Sequence, residues 1–242
     1  MSENIVLYDL PSKQGVSWSP NPWKTRLLLN YKNLPYTTQW VEYPDIAPLF
    51  KSFGIPPASD PNDTPYTIPA LRTHDGKYIM DSAKIASYLE EQYPNPPLPL
   101  DIPEETELSK IFGGIAGPMR GIWMPCVPKD LLNPPSVEYF TRTREEVFCG
   151  GKSMEEYEKS QNHQNIWEEV EPALKGVGDV LKRKGGPFVH GKEVSYWDLK
   201  LVGFLQFMKT VQEPLFVKII SIEPALGKLY QACGNWVKRD SF

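Results

Sequence analysis

Ser19 and Pro20 stand directly before a run of residues with helical character, and this pair could hold a thiolate. Serine is a favoured N-cap residue and proline is favoured at the first helical position, so together they predict that a helix begins here. Free backbone N–H groups and the positive end of the helix dipole would then lie beside the Ser19 hydroxyl. A hydroxyl that donates to a ligand sulfur favours its charged form and lowers the thiol pKa from a free value of about 8.5.

Two further segments could bind the rest of a small peptide-like thiol. Ile68 before Pro69 is interpreted as a strand-edge X-Pro bond, and a cis bond there would turn a backbone N–H and C=O toward an extended ligand. Asp81 and Ser82 head a later helix, where free N–H groups and a hydroxyl suit a carboxylate and the Asp side chain suits an ammonium. A hydroxyl, a backbone clamp and an amino-acid pocket together describe a glutathione site.

The residues around these segments predict the order of elements βαβαββα, which is a thioredoxin-like layout. The opening strand, helix and strand form a βαβ unit, because a parallel neighbour needs a crossover helix. Asp75 and Gly76 lie between two strand-like runs and are a strong hairpin signal. The predicted strands are residues 4–8, 36–43, 68–73 and 77–80, and the predicted helices begin at Pro20, Ile46 and Asp81. The proline-containing loop before Ile68 is expected to be irregular.

Three parts are expected along the chain. Residues 1–94 form the thioredoxin-like domain, residues 95–103 a proline-rich linker, and residues 104–242 a second domain. Apolar residues in the second domain recur at helical spacing, so this domain is predicted to be all helix. The fold class is therefore α+β followed by an all-α bundle. Ser195 and Asp198 match a capping-box variant and should start the most buried helix.

Composition narrows the classes of partner. The chain has 242 residues, 40% of them hydrophobic, and a formal net charge of −4. No Lys/Arg run reaches the length that nucleic acid or anionic lipid binding needs, so neither partner is expected. The three cysteines form no CxxC pair and the three histidines show no ligand spacing, so we expect no disulfide framework and no metal. The absence of a window of about 18 apolar residues predicts a soluble, cytosolic protein.

At these residues the chain resembles the glutathione transferase superfamily over nearly its whole length. Within that superfamily, residues 19–26 (SPNPWKTR) resemble the S-P-x-x-W-K-T-K/R motif of bacterial β-etherases and of the fungal etherase-like FuA class. The proline-rich insertion before Ile68 also resembles those proteins. The resemblance implies glutathione as co-substrate, a homodimer, and a hydrophobic substrate pocket contributed by the helical domain.

The resemblance also implies roles for individual residues. Ser19 is implied to activate the thiol, Ile68 before Pro69 to pair with the cysteinyl backbone of glutathione, and Asp81 with Ser82 to hold its γ-glutamyl end. Lys51 falls where relatives often place a cation near the glycyl carboxylate. Relatives that reduce disulfides have a cysteine where this chain has Ser19, and a hydroxyl cannot form a mixed disulfide, so thiol transfer is disfavoured.

An apolar pocket for the second substrate is expected beside the sulfur. Relatives build it from the first loop and the fourth helix, and the corresponding side chains here are Trp18, Phe112, Met119, Trp123 and Met124. Aromatic residues at helical spacing also commonly form core, so this interpretation competes with a structural one. Asn21 either orients Ser19 and tunes the sulfur or is a solvated residue of the first turn. The charged run 142–146 is interpreted as a solvated helix face.

Three functions remain open on these grounds. The leading one is a glutathione transferase that conjugates glutathione to hydrophobic aromatic electrophiles, thiolytic cleavage of aryl ethers included. The alternative is a ligandin-like carrier of aromatic or polyphenolic compounds with little turnover. A regulatory relative that kept only the fold would have no affinity for glutathione, and the intact Ser19, Asp81 and Ser82 argue against it.

Overall fold

A four-stranded mixed sheet forms the centre of the N-terminal part of this computed structural model, which describes residues 4–61 and 63–239. Its strands, in the spatial order β2-β1-β3-β4, are β1 (Ile5–Asp9), β2 (Tyr36–Trp40), β3 (Ala70–Arg72) and β4 (Tyr78–Met80). β1 pairs in parallel with β2 and antiparallel with β3, and β3 pairs antiparallel with β4. Both kinds of pairing occur because a helix crosses over from β1 to β2, whereas a tight turn joins β3 to β4.

Three helices complete this part of the molecule. They are α1 (Pro20–Tyr31), α2 (Ile46–Ser52) and α3 (Ser82–Gln92). Leu7 and Leu71 of the sheet are fully buried, as are Leu27 of α1 and Leu89 of α3, so one apolar core joins the sheet to these helices. The expected order βαβαββα and the thioredoxin-like fold are confirmed.

The second strand is shorter than predicted. It ends at Trp40, and Tyr43–Asp45 forms a 3-10 turn instead of extending the strand to Tyr43. Pro44 explains the difference, because it has no N–H to donate to a strand ladder and its fixed φ suits the start of a helical turn. The consequence is functional, since Tyr43 turns away from the sheet edge.

The remaining described chain is helical, as predicted. The helices are α4 (Glu105–Trp123), α5 (Pro134–Phe148), α6 (Met154–Ser160), α7 (His163–Lys182), α8 (Tyr196–Val211), α9 (Glu213–Ile222), α10 (Pro224–Ala232) and α11 (Gly234–Val237), with a π-helical turn at Val127–Leu131. At the start of α8 the buried Asp198 carboxylate accepts the Ser195 N–H at 2.7 Å and the Val189 N–H at 2.9 Å, so the capping-box variant is confirmed. No helix within residues 4–61 and 63–239 is long and apolar enough to cross a membrane.

The helix that follows Ser19 packs directly on α8. A Cβ atom added at Gly203 would lie 3.3 Å from the Pro20 carbonyl oxygen and 3.3 Å from the Trp23 Cβ. Such a close approach of two helix backbones suits glycine, which has no side chain to keep them apart. The first turn of α1 is therefore held against the centre of the helical part.

The linker is attached to both parts of the molecule. It lies between the end of α3 at Gln92 and the start of α4 at Glu105. The buried Lys32 ammonium donates to the carbonyls of Tyr93 at 2.6 Å and Pro96 at 2.9 Å, and the Tyr196 N–H donates to the Pro99 carbonyl at 2.9 Å. These contacts limit the freedom of the two parts to move past each other.

A buried ion pair holds the loop that leads to Ser19. Arg26 of α1 and Asp9 at the end of β1 lie 2.6 Å apart, and neither side chain is exposed. Ser17 donates to the same Asp9 oxygen at 2.8 Å. Farther back in the loop, the Lys13 N–H donates to the Leu131 carbonyl at 2.8 Å. Strand, helix and π-helical turn thus fix the loop at three points.

Candidate active site

Ser19 is the N-cap of α1, but within the described chain its hydroxyl does not form the usual capping hydrogen bond. The residue has extended backbone angles, φ −69° and ψ 136°, and Pro20 follows at the first helical position, as predicted. Among the described residues the hydroxyl finds no capping partner in the first turn, although capping is the usual use of a serine here. Ser19 is 6% exposed, and it lines a cavity.

The cavity beside Ser19 has a volume of about 120 Å³. A cavity of roughly this size, about 150 Å³, holds one benzene-sized ligand in other proteins. Aromatic rings and small polar groups form its walls, which are Leu10, Ser19, Asn21, Tyr43, Ile46, Thr64, Tyr66, Thr67, Ile68, Tyr139 and Arg144. The space next to the Ser19 hydroxyl is therefore comparable in size to a single small ring.

A larger recess adjoins this cavity. Its volume is about 510 Å³, and its walls are Ala58, Ser59, Asp63, Thr64, Thr67, Met80, Asp81 and Lys84. Thr64 and Thr67 line both spaces, so the two form one bent cleft. The Ile68-Pro69 peptide bond is cis, and Ile68 lines the smaller cavity next to Thr67, which lines both spaces. An extended peptide could run from Ser19 past Ile68 to Asp81.

Asp81 stands at the far end of the recess in an unusual backbone conformation. Its φ of 91° and ψ of 128° are rarely adopted by residues other than glycine, and such geometry costs on the order of 1–3 kcal/mol. One carboxylate oxygen, Oδ1, accepts the N–H groups of Ala83 at 2.9 Å and Lys84 at 3.0 Å and so caps α3. The Ser82 carbonyl accepts the Tyr196 hydroxyl at 3.0 Å, which ties this helix start to α8.

Tyr43, Tyr139 and Arg144 form the wall that faces away from the sheet. The Tyr43 and Tyr139 rings stack with their centroids 5.9 Å apart and an interplanar angle of 14°. Burial raises the pKa of Tyr43 to about 12 even though a hydrogen bond from Arg144 opposes the shift. The Tyr43 hydroxyl is therefore neutral at physiological pH and able to donate.

Comparison with known proteins decides the family. The model of the glutathione S-transferase N-terminal domain matches residues 18–92, and the model of the C-terminal domain matches residues 109–215. The glutathione S-transferase-like protein ustS of Aspergillus flavus is 32% identical over 243 residues, which cover 92% of this chain and 86% of the relative. This chain belongs to the glutathione S-transferase family.

Solved fungal glutathione transferases share the whole fold. A glutathione S-transferase of Ceriporiopsis subvermispora, crystallised with glutathione, is 32% identical with a TM-score of 0.85, and the match covers 97% of this chain and 98% of that one. GSTFuA3 of Phanerochaete chrysosporium is 30% identical with a TM-score of 0.84, and the match covers 98% of both chains. The resemblance to fungal FuA-class enzymes is thereby confirmed.

Two further expected site residues, Lys51 and Asn21, lie at or beside the cavity. The Lys51 ammonium is 5.6 Å from the centroid of the Tyr66 ring, so it borders the cavity without lining it. Asn21 lines the cavity, and its side-chain oxygen accepts from the Lys24 ammonium at 2.9 Å. An ammonium can only donate, so the Asn21 oxygen faces Lys24 and the amide N–H groups remain for the cavity.

The expected aromatic wall is built differently. Trp18 is 2% exposed, its indole N–H donates to the Pro11 carbonyl at 3.1 Å, and its ring packs 6.1 Å from that of Phe207. The described walls of the Ser19 cavity include none of the expected pocket residues, which are Trp18, Phe112, Met119, Trp123 and Met124. The rings of Trp18 and Trp123 contact Phe207 of α8, and the ring of Phe112 contacts Phe204. Trp18, Met119 and Met124 are buried in the core, and Phe112 and Trp123 are half-buried against it.

Sequence reasoning missed the wall that the structure does place there. The sequence predicts a strand at Tyr43 and a solvated helix face at the charged run 142–146, which contains Arg144. That interpretation is wrong for Arg144, which is half-buried and lines the cavity. One signal was present, because the adjacent aromatic residues Tyr139 and Phe140 directly precede the polar residues 141–146 of α5.

Proposed function

We propose that this protein is a serine-type glutathione transferase, in which the Ser19 hydroxyl donates a hydrogen bond to the glutathione sulfur and raises the fraction of thiolate. One observation carries the proposal: the Ser19 hydroxyl makes no capping bond within the described chain, yet it lines a cavity. The glutathione-bound fungal relative supports the choice of thiol. Hydrogen bonding to the charged form lowers a thiol pKa, which supplies nucleophile at neutral pH.

The bent cleft suggests how glutathione is held. Its cysteinyl backbone would pair with Ile68 before Pro69, and its γ-glutamyl end would reach Asp81 and Ser82 across the recess. The Oδ2 oxygen of Asp81, which takes no part in the helix cap, suits the γ-glutamyl ammonium. Lys51 would attract the glycyl carboxylate from the rim.

The second substrate would enter the aromatic side of the cavity. Glutathione thiolate would form a bond to an electrophilic carbon, and a halide or an aryl oxide would depart with the bonding electrons. Stacking on Tyr43 and Tyr139 would orient the ring, and proximity to the sulfur would supply much of the rate gain. Thiolytic cleavage of aryl ethers is one form of the same reaction.

The proposal extends to assembly and organisation. The resemblance to relatives supports a cytosolic homodimer. Light scattering measures the number of chains in the assembly directly. Residues 1–94 would act as the glutathione-binding domain, residues 95–103 as the linker, and residues 104–242 as the helical domain. The end of α3 at Gln92 and the start of α4 at Glu105 support these boundaries.

A ligandin-like carrier is the second candidate. The stacked tyrosine pair favours it, because two parallel rings can hold a flat ligand without any reaction. The two functions differ in turnover. Conjugation of a chloro-dinitrobenzene and titration of the same protein with an aromatic dye separate an enzyme from a carrier.

Replacement of Ser19 by Ala tests the role of the hydroxyl. We expect conjugation at pH 7 to fall about tenfold or more, with the rising limb of the pH–rate profile shifted to higher pH, because less of the bound thiol is ionised. Glutathione affinity should stay within a few-fold, since the clamp and the amino-acid pocket remain.

The matched control is Ser153→Ala. Ser153 caps α6 through a hydrogen bond from the Glu156 N–H at 3.3 Å, far from the cavity. That variant should lose about 1 kcal/mol of stability and no activity. If Ser19→Ala behaves like Ser153→Ala, with lower stability and an unchanged pH–rate profile, Ser19 is a structural cap and the serine-type mechanism is wrong.

A further inference from the structure

Arg144 places a positive charge in a cavity whose other walls are mainly rings and hydroxyls. It lies near the end of α5 and lines the same 120 Å³ space as Ser19. Its guanidinium carbon is 4.8 Å from the centroid of the Phe140 ring and 5.9 Å from that of Tyr43. The aromatic faces hold the guanidinium in place and orient it toward the cavity.

The partners of Arg144 are all neutral in the described chain. It donates to the Thr143 hydroxyl at 3.2 Å and to the Tyr43 hydroxyl. Within residues 4–61 and 63–239, no carboxylate lies at ion-pair distance from it. Arg142 on the same helix contrasts with it, because Arg142 is exposed and pairs with Glu146 at 3.2 Å.

A half-buried guanidinium without an anion leaves strong donors unused. A partly desolvated charge gains much more from an anionic partner than an exposed charge does. Guanidinium and carboxylate also match in shape, since both are planar and can form two parallel hydrogen bonds. The missing partner is therefore expected to come with a ligand.

We infer that Arg144 selects aromatic electrophiles that carry a carboxylate, by pairing with that group while the ring stacks on Tyr43 and Tyr139. This inference rests on the proposed function and names its substrate class. The cavity size limits the ring system to about one ring beside the sulfur. The carboxylate lies on the side of the ring opposite to the carbon that the thiolate attacks.

A pair of matched substrates tests the inference. A chloro-dinitrobenzoate with the chlorine para to the carboxyl group and the corresponding benzamide differ in charge but share the ring and the leaving group. In both reactions the glutathione sulfur bonds to the ring carbon, chloride leaves with the C–Cl electron pair, and the thiol proton passes to solvent. Each enzymatic rate is divided by the rate of the uncatalysed reaction of the same compound with glutathione. This ratio corrects for the different electron withdrawal by the carboxylate and the carboxamide.

The wild-type enzyme should prefer the benzoate over the benzamide. Arg144→Gln should raise KM for the benzoate about ten- to a hundredfold, with kcat little changed, and leave the benzamide nearly unaffected. Arg144→Lys should keep part of the preference, because it keeps the charge and loses the planar fork. Arg183→Gln is the control and should change neither substrate, because Arg183 is exposed, pairs with Glu107 at 2.6 Å and does not line the cavity.

Each other outcome has a definite meaning. Equal losses in kcat for both substrates would place Arg144 at the reacting atoms and overturn the carboxylate role. A raised KM for glutathione would assign Arg144 to the thiol substrate and overturn it as well. If Arg144→Gln leaves the benzoate preference intact, the inference is wrong while the transferase function stands. If the wild-type protein conjugates neither compound nor a neutral chloro-dinitrobenzene, the proposed function itself fails.

Discussion

The two sides of the cleft are built in different ways. On the side proposed to bind the thiol, each group comes from the start of a helix or the edge of a strand in the N-terminal part, as Ser19, Ile68 and Asp81 do. On the electrophile side, Tyr43 and Arg144 meet only because a turn of the N-terminal part docks on α5 of the helical part. Local geometry makes the first side, and packing between distant segments makes the second.

The docking of that turn is specific. The Tyr43 N–H donates to the Ser136 hydroxyl at 2.9 Å, and the Asn133 amide donates to the Glu42 carboxylate at 2.9 Å. Ser136 also donates to Glu42. These bonds join residues more than 90 positions apart in the chain. A site divided in this way can keep its thiol chemistry while its electrophile wall changes.

The largest effect is expected for Trp18, which the structure places in the core and sequence reasoning placed in the electrophile pocket. Trp18→Ala should lower the free energy of unfolding by about 3–5 kcal/mol, because it removes a fully packed indole. Urea unfolding followed by circular dichroism measures the change through the midpoint at constant m value. Binding of glutathione and of aromatic ligands should weaken together at temperatures where the variant is partly unfolded.

Trp40→Ala is the control for loss of an indole, since Trp40 is 36% exposed and should cost much less stability. A Trp18→Ala protein of wild-type stability with selectively weakened aromatic binding would show that Trp18 contacts the aromatic ligand and is not a core residue.

The same division explains what the sequence could predict. Ser19 with Pro20, the X-Pro bond at Ile68 and the cap at Asp81 are short motifs whose geometry follows from a few neighbouring residues, and the structure has each of them. The thioredoxin-like order of elements followed from periodicity and from one hairpin signal at Asp75.

The electrophile wall depended on information that no local motif contains. Helical spacing marks an apolar face but does not say whether that face meets another helix or a ligand, so Trp18 and Phe112 fitted both interpretations. The charge of Arg144 suggested solvent exposure, and only the docking of the Tyr43 turn encloses it. Contacts at high sequence separation have to be seen in the fold.

Asp81→Asn should give the next largest effect, a loss of glutathione affinity, and it tests the role proposed for the Asp81 carboxylate. Asparagine caps helices as well as aspartate does and tolerates positive φ, so stability should stay within about 0.5 kcal/mol. Glutathione affinity should fall about ten- to a hundredfold, because a charged hydrogen bond to the γ-glutamyl ammonium is lost. Calorimetric titration measures the change.

A glutathione analogue without the γ-glutamyl amino group completes the test. It should bind wild-type and Asp81→Asn proteins with similar affinity, since the partner of the carboxylate is gone in both cases. Asp75→Asn, in the exposed β3–β4 turn, should leave glutathione affinity unchanged. An affinity loss for the analogue as large as that for glutathione would show that Asp81 acts through the fold of the recess and not through the ammonium.

The smallest effect concerns the alkaline titration of Tyr43 and probes whether the electrophile wall stays closed in solution. Burial raises the Tyr43 pKa from 10.0 to about 12, so the folded state keeps the phenol neutral where the unfolded chain has lost its proton. The resulting stabilisation is present in full below pH 10 and disappears as the pH rises toward about 12. Wild-type protein should therefore lose stability over this range faster than Tyr43→Phe, in urea unfolding measured at matched pH values. Difference absorbance between the two proteins should show one phenolate that forms near pH 12.

A Tyr43 that titrates near pH 10 would mean that water reaches the hydroxyl and that the turn leaves α5. The stacked pair with Tyr139 would then not persist, and the electrophile side would be a surface that closes only around its substrate.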